Sequence, residues 1–214
     1  TKSFIIQNAT NSNPVNLSVA SKTDVTCFGG SNGMINLAVS GGTGNFSYKW
    51  DNALVTGQNP TGLKAGTYCV TVTSGTSSSN TCVTITEATE ILIHLKSTPV
   101  TCFGFSNGGL ELTVSGGTPP YEYKWSNGAT TTIQTGLPVG NYAVTVTDNN
   151  GCMKSQADLV VTSPSDIKEN SRTITKVTCF GGNDGAIKIA TTGGKPPYKF
   201  AWSGSSSTTN NPTG

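Results

Sequence analysis

Apolar and polar residues alternate with period two in short runs along this chain, and glycine, asparagine or proline closes each run. Ile35, Leu37 and Val39 flank Asn36 and Ala38; Leu110, Leu112 and Val114 flank Glu111 and Thr113; Ile187, Ile189 and Thr191 flank Lys188 and Ala190. Alternation of this kind predicts half-buried β-strands. An aromatic version of it follows each time, as Phe46-Tyr48-Trp50, Tyr121-Tyr123-Trp125 and Tyr198-Phe200-Trp202. A third set, Tyr68-Val70-Val72 and Tyr142-Val144-Val146, sits further on. No stretch keeps apolar residues at helical spacing, so no helix is predicted. Short strands parted by turn signals every ~8 to 12 residues point to an all-β sandwich of roughly seven strands per copy.

The runs recur as one phrase. Val-Thr-Cys-Phe-Gly opens it at Cys27, Cys102 and Cys179, and Trp50, Trp125 and Trp202 each follow their cysteine by 23 residues. Successive cysteines lie 75 and 77 residues apart. Self-similarity on this scale predicts a linear array of small domains, each with its own core. Within the phrase, Asn32-Gly33, Asn107-Gly108 and Asp184-Gly185 read as turns, as do the pairs Gly41-Gly42, Gly116-Gly117 and Gly193-Gly194. Thr61-Gly62-Leu63 matches Thr135-Gly136-Leu137, and the third copy reaches only Thr213-Gly214. The predicted organisation is the tail of a preceding repeat over 1–8, containing Phe4-Ile5-Ile6, then repeats over 9–87, 88–163 and 164–214, the last truncated. The chain is thus expected to be a segment of something longer.

Gly-x-Tyr-x-Val-x-Val, at Gly66 to Val72 and Gly140 to Val146, has the form of the tyrosine corner that opens strand F of immunoglobulin-like (Ig-like) sandwiches. The predicted fold is therefore a tandem array of Ig-like β-sandwich domains. Trp50, Trp125, Trp202, Tyr68 and Tyr142 are assigned to the cores, because an aromatic face at strand period faces inward and Ig-like domains bury a Trp on strand C.

Residues 102–152 carry three linked motifs: Cys102-x-Gly104-x-x-Asn107-Gly108; Ser115-Gly116-Gly117-Thr118-Pro119-Pro120-Tyr121-x-Tyr123-x-Trp125-Ser126-Asn127-Gly128; and Gly136-Leu137 through Tyr142, Val144 and Val146 to Asp148 and Gly151-Cys152. Together they resemble the SprB-type repeat of very large surface adhesins of gliding Bacteroidetes. The first copy fits less closely, with Gly44-Asn45 in place of Pro-Pro and a longer hairpin after Val72. The resemblance implies a secreted protein attached at the cell surface, exported by the type IX system and acting in adhesion and gliding motility. Its implied partners are extracellular surfaces or polysaccharide, neighbouring repeats, and motility or secretion machinery reached through other parts of the protein. The same repeat occurs in other secreted multidomain proteins, so a spacer or carbohydrate-binding array of a secreted enzyme is the alternative.

Composition narrows the function further. Charged residues make up 11% of the chain and the net charge is +2, without the clustered basic face that nucleic acid requires. The longest apolar run, Ile91 to Leu95, is interrupted by His94 and falls far short of the ~20 residues a membrane helix needs. Neither nucleic-acid binding nor membrane insertion is expected.

Six cysteines without a Cys-x-x-Cys pair, beside a single histidine, point to disulfides rather than a metal centre, and so to an oxidising compartment. Cys69 on strand F and Cys82 on strand G face each other across a hairpin centred near Gly75-Thr76, which makes them a pair on the outward face. Cys152 lies at the turn between strands F and G of the second copy. A bond to Cys102 of the same copy would have to span the sandwich, about 17–20 Å. Cys27 of the first copy, in a head-to-tail array, would reach Cys152 from the neighbouring repeat, leaving Cys102 and Cys179 to partners in later copies. Both pairings of Cys152 stay open at this point. Phe28, Phe103 and Phe180, each beside its cysteine, either pack in the joints or cap their own cores.

No catalytic constellation is evident. His94 has no motif around it, the acidic residues recur in no pair, and no cofactor or metal is expected. Asp148-Asn149-Asn150-Gly151 and Asn183-Asp184-Gly185 lack the spaced ligands of a calcium loop and read as turns. Any binding specificity is expected in the segments that differ between copies, Ser74 to Thr81 and Asp51 to Gln58.

Overall fold

The computed structural model describes residues 13–211; the predicted tail over 1–8 lies outside them. In the first copy the alternating runs form six strands: β1 (Asn16–Thr23), β2 (Gly33–Ser40), β3 (Ser47–Trp50), β4 (Thr61–Leu63), β5 (Gly66–Ser74) and β6 (Ser77–Ile85). They make two three-stranded sheets, in the orders β1-β2-β4 and β3-β5-β6. This is the Ig arrangement of A-B-E against C-F-G. The chain after β1 then swings across to β6: Val25 forms a parallel bridge with Glu87, and its N–H donates to Thr86 O at 2.9 Å. Asp24 and Lys22 fasten the same end, for Asp24 accepts from Thr86 N at 2.8 Å and Lys22 Nζ donates to Thr84 O at 2.8 Å.

The second copy repeats the plan with β7 (Leu92–Thr98), β8 (Gly108–Ser115), β9 (Glu122–Trp125), β10 (Ile133–Leu137), β11 (Gly140–Thr147) and β12 (Met153–Val161). Its sheets run β10-β8-β7 and β12-β11-β9. The third contributes β13 (Lys168–Thr175) and β14 (Ala186–Thr192), paired antiparallel. No helix occurs among the described residues, and the architecture is a tandem of Ig-like β-sandwiches. The described residues divide into two compact units, one of 13–92, 115–122 and 147–154, the other of 93–114, 123–146 and 155–211.

Burial follows the period-two pattern. The first unit buries Ile35, Leu37, Trp50, Leu63, Tyr68, Val70, Val72, Val83 and Ile85 in one cluster. In the second, Leu110, Leu112, Trp125, Leu137, Val144, Val146, Leu159 and Val161 are buried. Tyr68 donates its hydroxyl to Lys64 O and Tyr142 to Pro138 O, both at 3.0 Å and four residues back. Those two bonds are the tyrosine corner. Trp50, Trp125 and Trp202 each direct the indole N–H to a carbonyl six or seven residues on, Gly57, Thr131 and Thr209.

Several expectations change. Each complete copy has six strands rather than seven, because 51–60 in the first and 126–132 in the second form no strand. In the first, Asn59 Oδ1 accepts from Leu37 N, Gln58 Nε2 donates to Leu37 O, and Pro60 O accepts from Ile35 N. Side-chain amides thus satisfy β2 where a strand would, and Pro60 has no N–H to offer a ladder. The third aromatic segment, 198–202, forms no strand beyond an isolated bridge from Trp202 to Ser205. Trp202 is accordingly half-buried, not core, and Tyr142 is also half-buried.

The Asn-Gly and Asp-Gly steps are not hairpin turns. Gly33 lies within β2, where a Cβ would come within 2.9 Å of Ile85 Cγ2 and Leu63 O, and Gly108 in β8 would strike Val161. Glycine is needed there for close approach. The tight hairpin is where the sequence places it, Ser74 to Ser77 around Gly75-Thr76, with Gly75 at φ 60 and Thr76 at negative φ, the type II′ pattern.

Candidate functional site

The residues with chemistry in this chain are cysteines and the loops that hold them. Cys69 and Cys82 are in-register partners on β5 and β6 and form a disulfide with Cα atoms 4.0 Å apart. Cys27 and Cys152 form the other, with Cα atoms 5.6 Å apart and 125 positions between them in sequence. Both of its ends belong to the first compact unit. Cys102 and Cys179 are exposed free thiols, so the bond between Cys102 and Cys152 is not formed.

Each end of the long-range disulfide rests on a braced loop. On the Cys27 side, Gly30 N donates to Cys27 O at 3.0 Å and Gly29 N to Glu87 Oε2 at 2.6 Å. Asn32 clips the loop shut, accepting from Thr26 N at 3.1 Å and donating to Thr26 Oγ1 at 2.8 Å. Asn107 holds Thr101 in the same way, and in the third copy Asp184 holds Thr178.

On the Cys152 side the brace is Asp148. Its Oδ1 accepts from Asn150 N and Cys152 N, and its Oδ2 from Thr118 N, all at 2.9 Å. Asp148 N in turn donates to Cys152 O at 2.9 Å. Desolvation pushes the Asp148 carboxyl up, but hydrogen bonds from Thr118, Cys152 and Asn150 outweigh it, and the pKa lies below the ordinary carboxylate value. The Asp184 carboxyl is lowered by the Thr178 hydroxyl and amide. The amide of Thr86 does the same for Asp24, helped by Lys22. Carboxylates spent in this way on N–H and O–H donors make turns rather than cation cages. Among the described residues no group of three or more His, Cys, Asp or Glu side chains is placed to hold a metal ion.

Beside the disulfide is a cavity of about 380 Å³ lined by Phe28, Ala88, Glu90, Ile91, Met153 and Lys154. Lys154 Nζ meets Glu90 Oε1 there at 2.7 Å. Cys102 and Phe103 line a similar cavity of about 240 Å³ with Pro164, Ile167, Gly194 and Lys195. The phenylalanines cap no core: Phe28 is 54% and Phe103 60% exposed, and Phe180 is wholly exposed. His94 is exposed on β7.

The roles of the clip residues and of Asp148 escaped the sequence reading. The clip had a signal, since a threonine six positions before Asn32, Asn107 and Asp184 recurs in all three copies. Asp148 was read only as a turn residue, and its bracing role is not repeated by the first copy, which has Ser74 at that turn, where its hydroxyl bonds Gly44 N and O.

A family model described as SprB repeat matches residues 19–55, 95–130 and 171–207, more than half of the chain. No curated protein matches. Among solved structures, titin domains I67-I69 in an E-to-A mutated variant are similar at 13% identity, with 86% of this chain and 77% of that one covered and a TM-score of 0.40. The N-terminal eight Ig domains of Down Syndrome Cell Adhesion Molecule are similar at 11% identity, over 91% of this chain and 30% of that one, with a TM-score of 0.41.

Proposed function

The chain belongs to the SprB repeat family, and from that premise we propose that it is a non-catalytic repeat segment of a large secreted cell-surface adhesin, acting in surface attachment and gliding motility. The observation that carries the reading is a disulfide joining two copies of a repeated domain, Cys27 to Cys152. Such bonds persist in oxidising, extracytoplasmic compartments, and one that crosses from copy to copy suits a protein whose work is mechanical. No helix among the described residues is long and apolar enough to cross a membrane. Attachment to the cell, and any contact with the motility or secretion machinery, are proposed to lie in other parts of the protein.

Binding of residues 1–214 to glass, polystyrene and immobilised polysaccharides tests the adhesive role, and antibody labelling of intact cells tests the location. Saturable binding with surface labelling is the expected result. Labelling confined to permeabilised cells overturns the surface reading, and the absence of binding reduces the segment to a stalk.

One feature favours the second reading, a carbohydrate-binding or spacer array of a secreted enzyme. The variable segment after Trp50 borders an open cleft of about 680 Å³ lined by Asn52, Thr56, Asn59, Thr61 and Lys64, with Leu54 92% exposed at its edge. Amides and hydroxyls interleaved with apolar side chains such as Leu54, Pro60 and Tyr68 are a lining that suits a sugar. Loss of polysaccharide binding in Leu54→Ser, an exposed position, with binding to glass retained, would favour it.

A further inference from the structure

We infer that the Cys27–Cys152 bond shields most of two repeats from end-to-end tension, which crosses the disulfide and is borne only by the chain outside the closed loop. The source of tension rests on the surface-adhesin reading above; the route of tension rests on covalent connectivity alone. A pull on the N-terminal side enters along β1 and reaches Cys27. There it crosses to Cys152, 125 positions further along the chain, and leaves along β12. Everything from β2 to β11 lies in a closed loop whose ends are held 5.6 Å apart. Pulling on the chain ends cannot lengthen that loop, folded or unfolded.

Of the chain in series with the bond, β1 and β12 have almost no slack, and the antiparallel pair β13–β14 is left to extend under tension. A strand already rises ~3.3 Å per residue, against at most ~3.6 Å for a fully drawn chain. The anchor loops are braced on both sides, by Glu87 and Asn32 at Cys27 and by Asp148 at Cys152. Cys69–Cys82 lies inside the closed loop and bears no end-to-end tension. Its place is to hold the β5–β6 hairpin, pairing residues 13 positions apart.

Without the long-range bond the path changes completely. Tension would run through each repeat from its first strand to its last, and each could surrender its folded length. Reduction by a dithiol makes this change reversible: the reductant closes to its own disulfide while Cys27 and Cys152 take up two electrons and two protons as thiols.

Single-molecule pulling on residues 1–214, with handles at the two ends, compares the oxidised protein with Cys27→Ser/Cys152→Ser. The double variant is expected to release roughly 370–400 Å more contour length on full extension, the length of the 125-position loop less the 13 positions that the hairpin bond still holds. Should the variant fold poorly, a dithiol added to oxidised molecules already held under tension must yield the same increment, plus about 45 Å from the 13 positions of the hairpin bond. Equal contour lengths in the oxidised and variant proteins overturn the inference. So does a deficit matching the shorter Cys102 to Cys152 loop. Failure of the surface-binding experiment leaves this result untouched, so the two readings fall separately.

Discussion

Asp148 is the side chain on which the Cys152 turn depends, because three backbone N–H groups converge on its carboxylate. Replacement by alanine leaves those donors without their acceptor in a half-buried turn, a large penalty for one residue. Asp148→Ala is expected to lower the thermal midpoint by several degrees and to slow formation of the Cys27–Cys152 bond in oxidative refolding, followed by thiol trapping and mass spectrometry. Asp148→Asn, which keeps one accepting oxygen, should fall between. The same carboxylate sets a pH dependence together with Asp24 and Asp184, since all three pKa values lie below the ordinary one in the folded protein. A lowered folded pKa means the unfolded chain binds protons first, so the stabilisation is complete above the unfolded pKa of about 3.9 and is lost as pH falls through the folded values. Thermal midpoints should be flat from neutrality down to about pH 5 and drop steeply below about pH 4. A midpoint that rises on acidification would contradict the carboxylate assignments.

Strands with period-two alternation could be read directly from residues such as Ile35-Leu37-Val39, because each face of a sandwich sheet imposes its own polarity. The tyrosine corner was equally open to reading, since the hydroxyls of Tyr68 and Tyr142 reach carbonyls only four residues back. Where partners are distant, the sequence carries much less. The absent strand between β3 and β4 depends on Gln58 and Asn59 amides meeting the β2 backbone at Leu37, a substitution that composition does not reveal. Gly33 and Gly108 looked like turn residues, yet their role is to admit Ile85 and Val161 against a strand. Gly108→Ala is therefore expected to destabilise by ~1–3 kcal/mol through overpacking, although alanine suits a strand no worse than glycine; an unchanged midpoint of chemical denaturation would contradict it. Trp125, 2% exposed with its indole N–H on Thr131 O, is a heavier element of the same core. Trp125→Ala should cost ~3–5 kcal/mol, and Trp125→Phe less, in the same denaturation series.

For the whole molecule the two disulfides differ in reach, and loop-closure entropy turns that difference into a measurable order. A bond removes freedom from the unfolded chain in proportion to the logarithm of the loop it closes. Across 125 positions for Cys27–Cys152 and 13 for Cys69–Cys82, this amounts to about 5 and about 3 kcal/mol. Loss of the long-range bond should therefore be the more damaging in Cys27→Ser/Cys152→Ser against Cys69→Ser/Cys82→Ser, compared by urea denaturation. The long loop also contains most of two copies, so cutting it frees their unfolded chains from each other, whereas cutting the hairpin bond frees only a turn. Alkylation of the native protein fixes the starting state for that comparison. Cys102 and Cys179 alone should react, being exposed thiols, while Cys27, Cys69, Cys82 and Cys152 are held in bonds. If the hairpin pair proved the costlier to remove, the first copy would depend on its own staple more than on the bond to its neighbour, and the joint would matter under tension but little at rest.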